Sequence, residues 1–264
     1  MTFHSLFLQT EMIFWQRWSE IEDLGNAVAI RTPTIPTWWW GNLLVLDAPP
    51  TLQEVSHWID LFDTVIRIHP STHHYLFIWE EGAMASEALE AFRERGIEYS
   101  VADVLTLGEL QRPICYNAEI ELRELRGDDP LWDEVVRVNV ECFAPSLDDG
   151  RYEVYATLKI GQYQSLIDSG FGKWYAAMIG DEIAGSFGIF PSEGLYRFQE
   201  IAVREKFRKQ GIASTMTYEA ARQAKADHPE FTQVIVADPA GDSIRIYRAL
   251  GFEQIAVSYA LQMR

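Results

Sequence analysis

Cysteine is nearly absent: Cys115 and Cys142 are the only two in 264 residues. Two thiols make neither a disulfide framework nor a zinc site, so the sequence predicts a reducing, cytoplasmic setting and no metal. Lysine is missing from the whole first part of the chain, where Lys159 is the first to occur. Met1 to Leu8 carry no Lys or Arg and make a poor secretory signal. No apolar run approaches the length that crosses a bilayer, so no membrane partner is expected. Positive charge is also short: 22 Lys and Arg against 39 Asp and Glu leave a formal net charge of −17. Phosphate backbones need matching cations, which removes nucleic acid from the expected partners. An acidic surface attracts a cationic amine instead. Plain solubility is the simpler reading of the same charge.

Hydrophobic residues make up 48% of the chain, enough for sizeable cores in one large or two ordinary domains. The natural seam is Gln111-Arg112-Pro113-Ile114-Cys115-Tyr116-Asn117, where proline interrupts helices and ladders. The expected domains are therefore 1–117 and 118–264. Past the seam, alternation predicts a strand from Ala118 to Glu124, and helical spacing predicts helices over Pro130–Phe143 and Tyr152–Asp168. Lys173–Ile179 and Glu182–Phe190 read as a hairpin through Gly180-Asp181. Strand, helix and strand follow at Leu195–Val203, Gly211–Ala226 and Gln233–Ala237. Asp242–Leu250 reads as a helix with Asp242 as N-cap and Gly251 as C-cap. Phe252–Met263 is expected to complete the second sheet.

The most informative stretch is Val203-Arg204-Glu205-Lys206-Phe207-Arg208-Lys209-Gln210-Gly211-Ile212-Ala213-Ser214. A strand, a basic glycine-containing turn and a helix start make an anion site. The first amides of a helix have no partner inside it and lie at the positive end of its dipole. Arg208 and Lys209 add charge, and Gly211 lets the backbone come close to a ligand.

Together with the later Tyr247-Arg248-Ala249-Leu250-Gly251-Phe252, this stretch resembles the GNAT superfamily of acyl-CoA-dependent N-acetyltransferases. The resemblance runs over Ala118–Arg264 and is most specific in Ile201–Ser214 and Tyr247–Phe252. It implies an α/β (α+β mixed sheet) fold, with the GNAT acyl-CoA N-acyltransferase fold in the C-terminal half. It also implies acetyl-CoA as co-substrate, and a primary amine of a small molecule or peptide as acceptor. The pantetheine arm would pair with Ile201, Ala202 and Val203. The pyrophosphate would sit on the amides of Arg208, Lys209, Gln210, Gly211, Ile212, Ala213 and Ser214. The 3′-phosphate would lie near Lys206, Arg208 or Lys209. Tyr247 stands where the family places its general acid, and Glu200 is the candidate base, since an alkyl amine is almost wholly protonated at neutral pH. One departure from the family is Ala240, where many members carry an Asn that contacts the pantetheine arm. It leaves open the alternative of a non-catalytic acyl-CoA-binding sensor or scaffold.

The first half echoes this order. Strands are expected at Asn42–Asp47, His74–Trp79 and Tyr99–Leu105, and helices at Thr51–Ile68 and Met84–Arg95. Phe92 stands where Tyr247 does, and Asp47-Ala48-Pro49-Pro50-Thr51 replaces the basic loop. Two prolines remove two donors from that turn. The half therefore reads as a degenerate GNAT-like N-terminal copy without a CoA loop, in a tandem arrangement. Trp38-Trp39-Trp40 is expected to be packing. His73 and His74, adjacent on a strand, point to opposite faces and make no metal pair. Asp148-Asp149-Gly150 reads as a turn bordering the acceptor site.

Overall fold

The structure is a computed structural model that describes residues 3–144 and 150–263. Asp148 and Asp149 of the expected turn lie outside the described residues. The chain forms two compact units: Met1–Val104 with Val236–Pro239 and Gln254–Arg264, and Leu105–Ile235 with Ala240–Glu253.

The first unit opens with α1 (Leu6–Trp18), β1 (Glu20–Asp23) and β2 (Ala27–Arg31), for which the sequence reading made no assignment. Then come β3 (Leu43–Leu46), α2 (Val55–Val65), β4 (Tyr75–Trp79), α3 (Ser86–Arg93) and β5 (Glu98–Leu107). β3 and β4 run parallel, with Leu44, Val45 and Leu46 opposite Phe77, Ile78 and Trp79. Alternate residues Ala27 and Ala29, Leu44 and Leu46, Phe77 and Trp79 point to one face, as the twofold strand period requires. They meet Trp58 and Phe62 of α2 and Ala88 and Phe92 of α3 there. Trp38 is buried and packs edge-on to Trp18, and Trp39–Gly41 form one 3₁₀ turn.

The second unit holds β6 (Glu121–Leu125), α4 (Trp132–Phe143), α5 (Arg151–Asp168), β7 (Lys173–Ile179), β8 (Glu182–Ser192) and β9 (Leu195–Val203). α6 (Ile212–Asp227), β10 (Thr232–Ala237) and α7 (Ser243–Ala249) follow. The strand order from β10 outward is β10-β9-β8-β7-β6, with β10 and β9 parallel and the rest antiparallel.

One sequence expectation is corrected. The last strand, β11 (Phe252–Met263), was expected to complete the second sheet. From Gln254 onward it belongs to the first unit, where Tyr259 to Met263 pair antiparallel with Trp79 to Tyr75 of β4. The reason is aromatic. Tyr259 stacks on Trp79 at 5.8 Å and on Tyr99 at 6.4 Å, and Leu261 is wholly buried in that unit's core. The seam was expected at residues 111–117, yet this segment lies inside the second unit and is bonded to α6. The Asn117 amide donates to Thr215 Oγ1 at 2.8 Å, and Tyr116 Oη donates to Glu219 at 2.9 Å.

Candidate active site

The loop between β9 and α6 has the backbone shape of an anion nest. Lys209 has φ 60° and Gly211 φ 76°, both in the left-handed region, with Gln210 between them. Alternation of this kind turns successive amides toward one point. The amides of Lys209, Gln210, Gly211, Ile212, Ala213 and Ser214 meet no backbone acceptor among the described residues. α6 has no side-chain cap either. A 16-residue helix thus begins with its positive end undressed. Arg208 and Lys209 are exposed beside it. Arg208 folds back so that Nε donates to the Val203 carbonyl at 3.1 Å. Lys206 is already ion-paired with Glu182, which weakens it as a phosphate ligand.

Gly211 is needed for a reason other than ligand approach. A Cβ built there would meet the Cys115 carbonyl oxygen at 2.0 Å. The space a side chain would fill is taken by the segment before β6, which Asn117 Nδ2 also ties to the Gln210 carbonyl at 2.8 Å.

Upstream of the nest, β9 does two things. Its pairing with β10 ends at Arg197 opposite Val234, so among the described residues Phe198 to Val203 have no ladder partner on that edge. An open edge can accept an amide-bearing chain such as a pantetheine arm. Ile201 and Val203 are half-buried there and Ala202 is buried. On its other edge β9 bulges. Ala202 opposes Ser186 and Gln199 opposes Gly188, so Glu200 and Ile201 together face Phe187 alone. The bulge is made by Glu200 at φ 53°, a strained conformation for a non-glycine that costs about 1–2 kcal/mol.

Glu200 does not stand as a free base. Its Oε1 is ion-paired with Lys159 Nζ of α5, and its Oε2 accepts from Asn139 Nδ2 of α4 at 3.0 Å. The two charged side chains are 9% and 13% exposed. Burial works against the Lys159 charge, but Glu200 and the phenols of Tyr155 and Tyr163 outweigh it and hold the ammonium well above the usual lysine range. Both carboxylate oxygens of Glu200 are thus taken, one by Lys159 and one by Asn139. The carboxylate that the sequence offers as general base is therefore already bonded at both oxygens. Tyr152 Oη donates to Asn139 Oδ1 at 3.3 Å, and Gln199 Nε2 donates to Tyr163 Oη at 2.9 Å. The network thus ties two helices to the bulge.

Sequence reasoning noticed Lys159 only as the first lysine. The missed signal was its place in the apolar stripe Ala156-Lys159-Ile160-Tyr163, all buried. Asn139 sits in a similar stripe beside Val135 and Val138.

Tyr247 on α7 is 6% exposed and packs edge-on to Phe252 at 6.4 Å. Burial pushes its phenol up to about 12, with the Ser243 hydroxyl pulling the other way. Asp242 occupies the N-cap position of α7, but its side chain makes no capping bond.

Residues 170–254 match the family model described as acetyltransferase (GNAT) domain. The chain carries a GNAT domain. The matched residues run from before β7 to past α7 and include Glu200, the open edge, the nest and Tyr247. Asn139 and Lys159 lie upstream of the matched GNAT segment. No curated protein matches the chain in sequence. A functionally unknown conserved protein from Staphylococcus epidermidis ATCC 12228 is similar in structure over 95% of each chain, with a TM-score of 0.77 at 17% identity. A GCN5-related N-acetyltransferase from Kribbella flavida is similar over 97% of this chain and 92% of its own, with a TM-score of 0.67 at 16% identity. A tandem GNAT protein from the clavulanic acid biosynthesis pathway, solved without AcCoA, is similar over 78% of this chain and 67% of its own, with a TM-score of 0.51 at 14% identity. At such identities the likeness is one of fold.

Proposed function

We propose that the protein is an N-acetyltransferase that moves an acetyl group from acetyl-CoA to a primary amine of a small molecule or peptide. The single observation that carries the reading is the nest: six amides without backbone acceptors at residues 209–214, directly after a strand whose edge is open from Phe198 to Val203. The donor set fits a pyrophosphate followed by an amide-bearing arm. Residues 208–214 would hold the diphosphate, and Ile201, Ala202 and Val203 the pantetheine arm. Bound there, acetyl-CoA supplies a thioester carbonyl open to attack by an amine.

The chain's own groups then act by position. Backbone amides near Ala202 or Val203, beside the bulge, are assigned to the carbonyl oxygen, where fixed donors favour developing negative charge. Tyr247 keeps its proton on Oη across the physiological range. A phenol near 12 is a weaker acid than a thiol, whose usual value is about 8.5, so Tyr247 serves as a hydrogen-bond donor to the departing sulfur rather than a full proton donor. With Glu200 held by Lys159, the amine proton is assigned to water. The acidic surface favours a cationic acceptor. Both cysteines are free thiols, which supports a cytoplasmic setting.

The first unit is inferred to be a degenerate GNAT-like copy without a CoA loop. Its parallel β3–α2–β4 order, followed by α3 and a glycine stop, supports this. Ala240 favours a second reading, an acyl-CoA sensor without turnover. Thiol release from acetyl-CoA across a panel of amines, beside calorimetric titration with CoA, separates the two. Binding with turnover supports the enzyme, binding without turnover on any amine supports the sensor, and no binding removes both.

A further inference from the structure

We propose that Lys159 is a positioning residue: with Asn139 it clamps Glu200 and so holds the β9 bulge in the shape acyl transfer requires. The inference deepens the acetyltransferase reading and rests on it. Three observations carry it. Glu200 is the residue that makes the bulge, in a left-handed conformation that a glutamate does not adopt without a restraint. Each of its carboxylate oxygens is held by a different helix, Oε1 by Lys159 of α5 and Oε2 by Asn139 of α4. Lys159 is 7% exposed and turns its ammonium inward, where it also bonds the Tyr155 side chain and lies 5.6 Å and 5.9 Å from the ring centres of Tyr155 and Tyr163.

A lysine buried among tyrosines on the apolar stripe of a helix is not a device for fold stability alone. An apolar side chain of the same length would fill the slot without desolvating a charge, and buried pairs are commonly no better than such a replacement. What the pair adds is direction. A carboxylate fixed at both oxygens fixes the backbone that bears it, and Ile201 and Ala202, next in the chain, are the residues assigned to the donor and its carbonyl. The work done by Glu200 is then to hold the backbone in a set place.

Charge neutrality of the pair is the quantity to test. Lys159→Met leaves an anion without its partner, and Glu200→Gln leaves a cation without its partner. Each is expected to lower turnover by about a hundredfold or more, and to speed hydrogen exchange of the Ile201 and Ala202 amides in the ligand-free protein. The double variant Lys159→Met with Glu200→Gln is neutral, keeps an acceptor for Asn139 and fills the slot between the tyrosines. It is expected to restore slow exchange at both amides and bring turnover to within about tenfold of the wild type. Wild-type turnover and exchange in Lys159→Met would overturn the clamp. A double variant with slow exchange but turnover as low as Glu200→Gln would overturn it too, since the carboxylate would then be doing chemistry. If both single variants fail to fold, the double decides alone: folded and active supports the clamp, folded and inactive overturns it. Exchange is read without ligand, so loss of the clamp and loss of the acetyltransferase reading remain distinct results. The latter would show as a wild type that neither binds CoA nor releases thiol.

Discussion

The two units share an order of elements and differ at the one junction that matters. Each has a strand, a turn, a helix and a parallel strand: β3, α2 and β4 in the first, β9, α6 and β10 in the second. In the first unit the parallel pair is zipped to the strand ends, with Leu46 opposite Trp79. In the second it stops at Arg197 opposite Val234 and leaves six residues of β9 without a partner on that edge among the described residues. The turns differ in the same sense. Pro49 and Pro50 lead into Thr51, whose amide and hydroxyl donate to Glu54 at 2.9 Å and 2.7 Å, so the 3₁₀ turn Leu52–Glu54 that runs into α2 is dressed by its own chain. The start of α6 is bare. A βαβ unit therefore becomes a ligand site by leaving undone what a purely structural unit completes. The helices before the last strands are alike: Gly96 at φ 76° and Gly251 at φ 94° end α3 and α7 in the same left-handed way.

The comparison breaks most severely at Gly211. Gly211→Val puts a branched residue at φ 76°, with its Cβ on the Cys115 carbonyl oxygen, so backbone must move. CoA binding by calorimetry is expected to fall below detection. Gly82→Ala in the first unit, also at positive φ, meets only the Pro49 ring at 3.3 Å and is expected to cost about 1 kcal/mol of stability in a denaturant titration. Equal effects of the two would mean that the loop is not a special junction. Next in size is Tyr247→Phe. Losing one fixed donor to the departing group is expected to lower turnover by about 10²–10³-fold with CoA affinity unchanged. Phe92→Tyr, at the matching place in the first unit, is expected to gain no activity in the same assay. Unchanged turnover in Tyr247→Phe would end its role.

Much of this was legible because periodicity and punctuation are local. The hairpin through Gly180-Asp181, the span of β9, the start of α6 and both glycine stops follow from residues a few positions apart. The left-handed turn before α6 was legible too, since a glycine just before a helix start readily takes a positive φ. Three things were not legible, and all are set by residues distant in sequence. The exchange of β11 into the first unit depends on Tyr259 finding Trp79 and Tyr99. The reason for Gly211 lies at Cys115, 96 positions earlier. The fate of Glu200 depends on Lys159 and Asn139, so a strand glutamate that looked available is occupied.

Acid sharpens the contrast by reading the first unit alone. His74 is buried, and its Nε2 is 2.8 Å from the Asn42 carbonyl. Burial, with Arg67 and His73 adding to it, lowers its ionisation to about 4, while the Asn42 bond pulls the other way. The unfolded chain takes up this proton near 6.5, before the folded one does. The stability His74 contributes as a neutral ring is therefore lost as pH falls from about 6.5 toward 4, by about 3 kcal/mol in all. His74→Gln keeps a donor for Asn42 and has no proton to take up. The wild type should lose stability over that range relative to the variant, measured by denaturant midpoints at matched pH. Parallel loss in both would place the acid-sensitive group elsewhere.

The smallest test concerns the caps themselves. Thr51→Ala removes a hydroxyl that belongs to a capping box and is expected to cost about 1 kcal/mol. Asp242→Ala removes a side chain that stands at the N-cap of α7 and bonds to nothing there, so its expected cost in the same melting experiment is near zero. By residue type alone, Asp is the better N-cap of the two. A cost at Asp242 matching that at Thr51 would mean that α7 is dressed like the first unit's helix, and that bare helix starts are not what sets the second unit apart.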